Sequence, residues 1–146
     1  MTLTPIGVVR SPLTQPTYER LRLKDITAEI VIDEGLNEAL DGIEGFSHII
    51  VLYWMHLARR ERDHLKAHPM GRTDVPEQGL FAVRSPNRPN PIGKTTVRLL
   101  GRRGNILRVQ GLDAIDGTPV IDIKPFIPGY DSAADATVPD WVVVEE

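Results

Sequence analysis

Between Arg84 and Gly93 the chain reads Arg-Ser-Pro-Asn-Arg-Pro-Asn-Pro-Ile-Gly, with three prolines in ten residues. Each proline fixes its own φ and restricts the residue before it, so this loop is stiff. A stiff loop can hold a guanidinium in the geometry that a carboxylate or a phosphate requires. Arg84 and Arg88 are the candidate anion contacts, with Asn87 and Asn90 as orienting amides. The plainer alternative is a rigid corner between sheets whose arginines are solvated.

Two further segments and one histidine carry functional groups. Leu112-Asp-Ala-Ile-Asp-Gly-Thr-Pro119 places Asp113 and Asp116 in one turn. Paired carboxylates there suit ribose hydroxyls or a cationic centre, and an exposed backbone can read the edge of a base. An ordinary Asp-Gly hairpin turn explains the same residues. In Asp122-Ile-Lys-Pro-Phe126, Asp122 and Lys124 are two residues apart and share one face of a strand. They either pair with each other or line a polar pocket at a barrel's mouth. His56 closes the most apolar run of the chain, at the lip of a long polar segment. It is either a catalyst or a core-edge residue.

Absent residue types exclude much. The chain has no cysteine, which removes disulfides, cysteine-ligated zinc, iron–sulfur clusters and cysteine nucleophiles. The four histidines are His48, His56, His64 and His68. His64 and His68 are four apart but have no obvious third ligand, so no metal site is expected. Gly-x-Ser-x-Gly, Walker and Gly-x-Gly-x-x-Gly patterns are missing, which argues against serine hydrolases, P-loop enzymes and dinucleotide-binding folds.

A chain of 146 residues is the size of one domain and can bury a core without staples. Hydrophobic content of 41%, charged content of 25% and mean hydropathy of -0.17 are those of a soluble globular protein. No apolar run approaches the roughly 18 residues of a membrane span, and the N-terminus has no signal-peptide pattern. A soluble, cytoplasmic protein is expected. The net charge of -3 hides an asymmetry. Residues Arg84 to Arg108 hold seven Lys/Arg and no acid, whereas Val109 to Glu146 hold Lys124 against eight acids. The basic stretch suggests a local anion-contacting surface. For Arg98, Arg102, Arg103 and Arg108 the simpler reading is the outward face of a strand pair.

The elements that must position these groups are mostly strands. Ile6–Arg10, Thr27–Ile32, Phe46–His56, Gly79–Val83, Thr95–Leu100, Ile106–Leu112 and Val120–Ile123 read as strands, with Trp141–Val144 as a final edge strand. Phe46–His56 reads as a central strand buried on both faces. In Thr27–Ile32, Ala28, Ile30 and Ile32 form the inner face. Asp33 is positioned to cap a short helix over Gly35–Leu40, with Leu36, Ala39 and Leu40 on one face. Leu57–Gln78 is a long excursion, helical at its start, and Leu13–Asp25 is a loop. Pro125, Pro128 and Gly129 open an irregular tail. Short strands with little helix predict a single mainly-β, barrel-like domain with short helices and a long loop after the central strand, not a Rossmann sheet.

Four motifs together resemble a known family. Ile6-Gly-Val-Val-Arg-Ser-Pro12, Gly42-Ile-Glu-Gly-Phe-Ser-His48, Gly79 through Gly93, and Asp116-Gly-Thr-Pro-Val-Ile-Asp-Ile-Lys-Pro125 look like the TsaA-like (TrmO-type) methyltransferases. The likeness runs in order along nearly the whole chain. It implies a barrel that binds S-adenosylmethionine, forms a homodimer and methylates the exocyclic amine of threonylcarbamoyl-modified adenosine beside the tRNA anticodon. By motif match, His56, Leu57, Arg84, Leu112, Ala114, Ile115, Asp116 and Gly117 would contact the cofactor. Gln15 would stand in for a Pro-Arg-Gln element of the first loop, which here reads Leu13-Thr-Gln-Pro-Thr-Tyr-Glu-Arg20. Arg84 would take the cofactor's carboxylate, and Asp113 or Asp116 its hydroxyls or its cation. Asp116 and His56 are the candidate proton acceptors. Arg88, Asn90, Lys124 and Tyr130 are the candidate substrate contacts.

The resemblance is to the short form: longer tRNA-modifying members carry a C-terminal domain, and this sequence ends at Glu146. A small-molecule or different RNA acceptor therefore stands beside tRNA, as does a non-catalytic S-adenosylmethionine-binding module.

Overall fold

The computed structural model describes residues 1–15 and 23–142. Among them are eight strands: β1 (Gly7–Arg10), β2 (Thr27–Ile32), β3 (His48–Trp54), β4 (Lys66–Ala67), β5 (Gln78–Gly79), β6 (Ile92–Arg103), β7 (Ile106–Gln110) and β8 (Pro119–Pro125). Six of them close an antiparallel barrel in the order β1-β2-β7-β6-β3-β8. The other two, β4 and β5, pair as a separate ribbon. Closure leaves the barrel no unpaired edge strand. The expected mainly-β, non-Rossmann architecture is the one observed.

Alternation explains the barrel wall. In β2, Ala28, Ile30 and Ile32 are buried, while Thr27 is exposed and Glu29 and Val31 are half-buried. Side chains alternate between faces with period two, so the strand turns one apolar set inward and leaves a partly wet outer set. From β3, Ile49, Val51 and Tyr53 enter the core, beside Val9, Val97, Leu107, Val109 and Val120. Ile50 on the other face of β3 is buried too, so the middle of the strand is covered on both sides, as its unbroken apolar run implies.

Several local expectations are corrected. Gly79–Val83 is not a strand: pairing stops at Gly79 and a 3-10 turn covers Leu80–Ala82. Leu80 and Val83 are buried and Phe81 is 85% exposed, so the inward residues are three apart, the period of a 3-10 turn. The start of Leu57–Gln78 is not helical; a single turn from Ala58 N–H to the Met55 carbonyl precedes extended chain. The helix after Asp33 is a 3-10 helix, Glu34–Leu40, and Asp33 serves it through its backbone carbonyl rather than its side chain. Only Leu40 is buried there. The tail contains a short helical turn, Pro128–Asp131, whose Asp131 carboxylate accepts the Ile127 N–H. Of the expected edge strand, Trp141 and Val142 lie in a turn, and Val143 and Val144 fall outside the described residues. Much of the Leu13–Arg20 loop does so as well.

Strand register sorts the loops into two groups. Trp54 lies opposite Ile92, Val8 opposite Pro119 and Thr27 opposite Gln110. The chain therefore leaves β1, β3 and β7, and enters β6 and β8, at one end of the barrel. Residues 11–15, 55–61, 84–91 and 111–118 all gather there. Lys124 lies opposite Ile50 and Pro125 opposite Ile49, toward the other end. No described helix is long and apolar enough to cross a membrane.

Leu107 is fully buried in this core and Leu36 is 41% exposed. Leu107→Ala should cost about 2–5 kcal/mol of unfolding free energy. Leu36→Ala should change it by no more than about 0.5 kcal/mol. Denaturant titration of both variants checks the assignment of Leu36 to the surface.

Candidate functional site

At the end of β3, the ring of Tyr53 lies where a side chain at residue 93 would stand. A Cβ built on Gly93 would come within 2.2 Å of that ring, so only glycine fits opposite Tyr53. With the ring so placed, the Tyr53 hydroxyl donates to Asp113 Oδ1 at 2.9 Å and lies 2.9 Å from Thr95 Oγ1. Thr95 donates to the same carboxylate oxygen at 2.7 Å. Burial, and then the adjacent Asp113 charge, push the Tyr53 phenol far above its ordinary value of 10.0. The phenol stays protonated and fastens the Leu112–Gly117 segment to the barrel wall.

That segment is anchored at its other end as well. Asp116 Oδ1 accepts the Ser11 N–H at 3.0 Å, and the Asp116 N–H donates to the Leu13 carbonyl at 2.6 Å. The Gly117 N–H reaches the Val9 carbonyl at 2.8 Å. Thr118 is buried and closes the turn by donating its hydroxyl to the Ile115 carbonyl at 2.7 Å. Gly117 has φ of 83°, a conformation that glycine adopts without penalty. Leu112 and Ala114 are buried. Their side chains pack inward, so any ligand contact from them is made by backbone. The amides of Leu112, Asp113, Ala114 and Ile115 donate to no carbonyl among the described residues. Gln15 is exposed two residues after Leu13.

The proline-rich loop is sewn to the segment after β3. Asn87 Oδ1 accepts the Arg59 N–H at 2.9 Å. Asn90 Oδ1 accepts from Arg60 Nη2 at 3.0 Å. The Met55 N–H donates to the Pro91 carbonyl at 2.8 Å and the Glu61 N–H to the Arg88 carbonyl at 3.0 Å. Arg60 also sits over the Trp54 ring, its guanidinium carbon 5.5 Å from the centroid, within cation–π range. Backbone donation, first from His64, holds the Glu61 carboxylate below its usual pKa and stiffens the following turn. Arg88 is half-buried and gives Nη1 to the carbonyls of Val83 and Ser85 at 2.8 and 3.2 Å.

Arg84 differs from Arg88. It is exposed, and its guanidinium has no ion pair among the described residues. His56 and Leu57 are exposed on the segment that follows β3. His56 Nε2 lies 3.9 Å from where a Cβ on Gly117 would be, so the imidazole faces the Asp116-Gly117 turn. The barrel end thus brings together His56, Leu57, Gln15 and Asp116 with the backbone of residues 112–117, on a framework that also carries Arg84. It offers an exposed guanidinium, an exposed imidazole, two carboxylates already held by hydrogen bonds, and amides that donate to no carbonyl among the described residues. Such a set can hold a zwitterionic ligand with hydroxyl groups and a heterocycle edge.

Lys124 and Tyr130 are not brought to this place. Lys124 pairs with Asp122 at 3.0 Å on the outer wall, which selects the ion pair over the pocket lining. Tyr130 is 88% exposed in the turn beyond β8. His68 Nδ1 donates to the Val75 carbonyl at 2.8 Å, and among the described residues no three His, Asp or Glu side chains cluster as a metal site. The sequence reading missed Tyr53 and Thr95. Gly93 at the close of the proline motif was the available signal, since glycine entering a strand marks a close approach.

Comparison with known proteins gives a consistent neighbourhood. A family profile described as the tRNA-methyltransferase O N-terminal domain matches residues 10–132. An S-adenosyl-L-methionine-binding protein of Archaeoglobus fulgidus is 49% identical over 133 residues, 90% of this chain and 93% of that protein. A mouse tRNA (adenine(37)-N6)-methyltransferase is 41% identical over 100 residues, 68% of this chain and 23% of that one. The crystal structure of TrmO from Pseudomonas aeruginosa superimposes with a TM-score of 0.75 at 32% identity, covering 94% of this chain. This chain spans 60% of that solved chain's length.

Tyr53 supplies a pH test. Its folded-state pKa is raised, so its contribution to stability is complete below pH 10 and is lost as pH rises beyond that value. Denaturation midpoints at about pH 8 and about pH 11 should fall more in the unsubstituted protein than in Tyr53→Phe. At the lower pH, Tyr53→Phe should cost about 1 kcal/mol, the worth of its hydrogen bond. Parallel pH profiles for the two proteins would contradict the cluster.

Proposed function

The chain belongs to the tRNA-methyltransferase O N-terminal domain family, and from that membership we propose that it is an S-adenosylmethionine-dependent methyltransferase acting on tRNA. The acceptor in this reading is the exocyclic amine of threonylcarbamoyl-modified adenosine beside the anticodon. The observation that carries it is the convergence of His56, Leu57 and residues 112–117 at the barrel end that also bears Arg84.

The residues fit the cofactor's chemistry. The exposed Arg84 guanidinium suits a bidentate pair with the amino-acid carboxylate. Asp113, held by Tyr53 and Thr95, presents a fixed carboxylate for ribose hydroxyls. The amides of residues 112–115 suit the adenine edge. S-adenosylmethionine supplies a methyl group already activated on a sulfonium, so the protein's main task is alignment. The amine loses a proton as it gains carbon. His56, facing the turn at Gly117, is the group we assign to accept it. Asp116 keeps that turn in place through the Ser11 amide and is the second candidate acceptor. Among the substrate contacts, Arg88 and Asn90 act by holding the loop in shape. The reading includes a homodimer, a cytoplasmic location and one catalytic domain over residues 1–146.

A second reading is a module that binds S-adenosylmethionine without transferring its methyl group. It is favoured by a relative of nearly this length that is described only as a binding protein.

One measurement separates these readings, and a second tests the role given to Arg84. With S-adenosylmethionine and tRNA that carries the threonylcarbamoyl group but not the methyl group, mass spectrometry should find the methyl group on the threonylcarbamoyl-adenosine. Binding without any transfer would support the module. In calorimetry, Arg84→Ala should weaken S-adenosylmethionine by about 10- to 100-fold, the worth of a charge-assisted hydrogen bond. Arg84→Lys should recover only part of this, because an ammonium cannot form the bidentate pair. Unchanged affinity would remove Arg84 from the carboxylate.

A further inference from the structure

On the outside of the barrel, next to the candidate site, lies an open groove of about 820 Å³. Arg10, Arg103 and Arg108 line it together with Glu29, Ser11 and Asp116. Strand register explains the grouping. Arg10 lies opposite Glu29, Glu29 opposite Arg108, and Arg108 opposite Gly101, two residues before Arg103. Their chain neighbours Val9, Ala28, Ile30, Leu107 and Val109 are in the core, so these residues face outward. Strand spacing sets Arg10 and Arg108 roughly 10 Å apart across the wall and places Arg103 roughly 7 Å further along it. Gly101 adds no side chain, and nothing lies within 4 Å of where its Cβ would be. The floor beside Arg108 is therefore open.

Among the described residues, the charge of the groove's arginines is uncommitted. Arg102, next in the chain to Arg103, is tied to Asp41 at 3.5 Å and Glu44 at 3.8 Å. Arg10, Arg103 and Arg108 form no ion pair among the described residues, not even with Glu29 between two of them. The Asp116 carboxylate is occupied by the Ser11 amide. A single small anion at the centre would meet Glu29. An extended polyanion, with charges at intervals, can meet the arginines and pass the carboxylate by. Ser11 and Asp116 belong to the groove and to the candidate site alike, so a chain lying in the groove leads to the barrel end.

We propose that this groove holds the phosphodiester backbone of the RNA substrate while the target base enters at the barrel end. The proposal rests on the reading of the protein as an enzyme that acts on tRNA, and adds to it the residues that grip the nucleic acid. Arg10, Arg103 and Arg108 contact phosphates and carry no sequence information, so they set affinity and register rather than the choice of base.

The test is fluorescence anisotropy with a labelled, modified anticodon stem-loop between about 50 and about 200 mM salt. Arg103→Gln and Arg108→Gln should each weaken RNA binding several-fold. Each should also flatten the plot of log affinity against log salt by about 0.7–0.9, the release of one phosphate's counterions. Arg108→Lys, which keeps the charge, should restore the slope. Calorimetry with S-adenosylmethionine should give unchanged affinity for all three variants, which shows the barrel end intact. Full RNA affinity and an unaltered slope in the Arg103→Gln/Arg108→Gln double variant would overturn the groove and leave the methyltransferase reading standing. If the unsubstituted protein binds S-adenosylmethionine but shows no salt-dependent RNA binding, the RNA acceptor falls, and the groove with it.

Discussion

The ring of Tyr53 and the missing side chain of Gly93 occupy the same small volume, and the geometry of the barrel end follows from that contact. It locks β3 against β6 where both meet their functional loops. From β3 the chain runs on to His56 and Leu57, and into β6 it arrives from the proline-rich loop. The same ring sends its hydroxyl to Asp113 and so fixes the third segment. Because the phenol is buried and held neutral, the fastening does not loosen in the neutral pH range. One aromatic side chain thereby sets the relation among segments distant in sequence.

The polar residues divide into fasteners and free groups. Asn87, Asn90, Arg60 and Arg88 spend their hydrogen bonds on the loops themselves. Arg84 and His56 are left open to solvent. This division has a physical logic. A ligand with several charged groups is bound well when the receptor has already lost its own freedom, so internal bonds lower the cost of ordering on binding. The prolines contribute to the same end by restricting the backbone before folding.

Much of the barrel was legible because strands declare themselves through alternation. Thr27–Ile32 has the bounds and inner face read from its sequence, since each of its faces meets a different environment. Gly79–Val83 defeated the same logic: a five-residue apolar run does not distinguish a strand from a tight turn. The spacing of Leu80 and Val83 was the better guide. Leu36 and Ala39 share a face with Leu40 at helical period, but the segment coils as a 3-10 helix and only Leu40 reaches inward. The site was legible as motifs and not as contacts. Thr95 and Asp113 meet Tyr53 across 42 and 60 residues, a relation that exists only once strand register is set. As orienting amides Asn87 and Asn90 declare themselves in the sequence, but their partners, Arg59 and Arg60 on the segment after β3, do not.

The central claim is that residues 112–117, His56, Leu57 and Arg84 form one cofactor site. The most direct measurement follows backbone amide chemical shifts of isotopically labelled protein as S-adenosylhomocysteine is added. The account predicts saturable shifts concentrated at His56, Leu57, Arg84 and residues 112–117. Shifts confined to the opposite barrel end, around His48 and Pro125, or no saturable shift at 112–117, would contradict it.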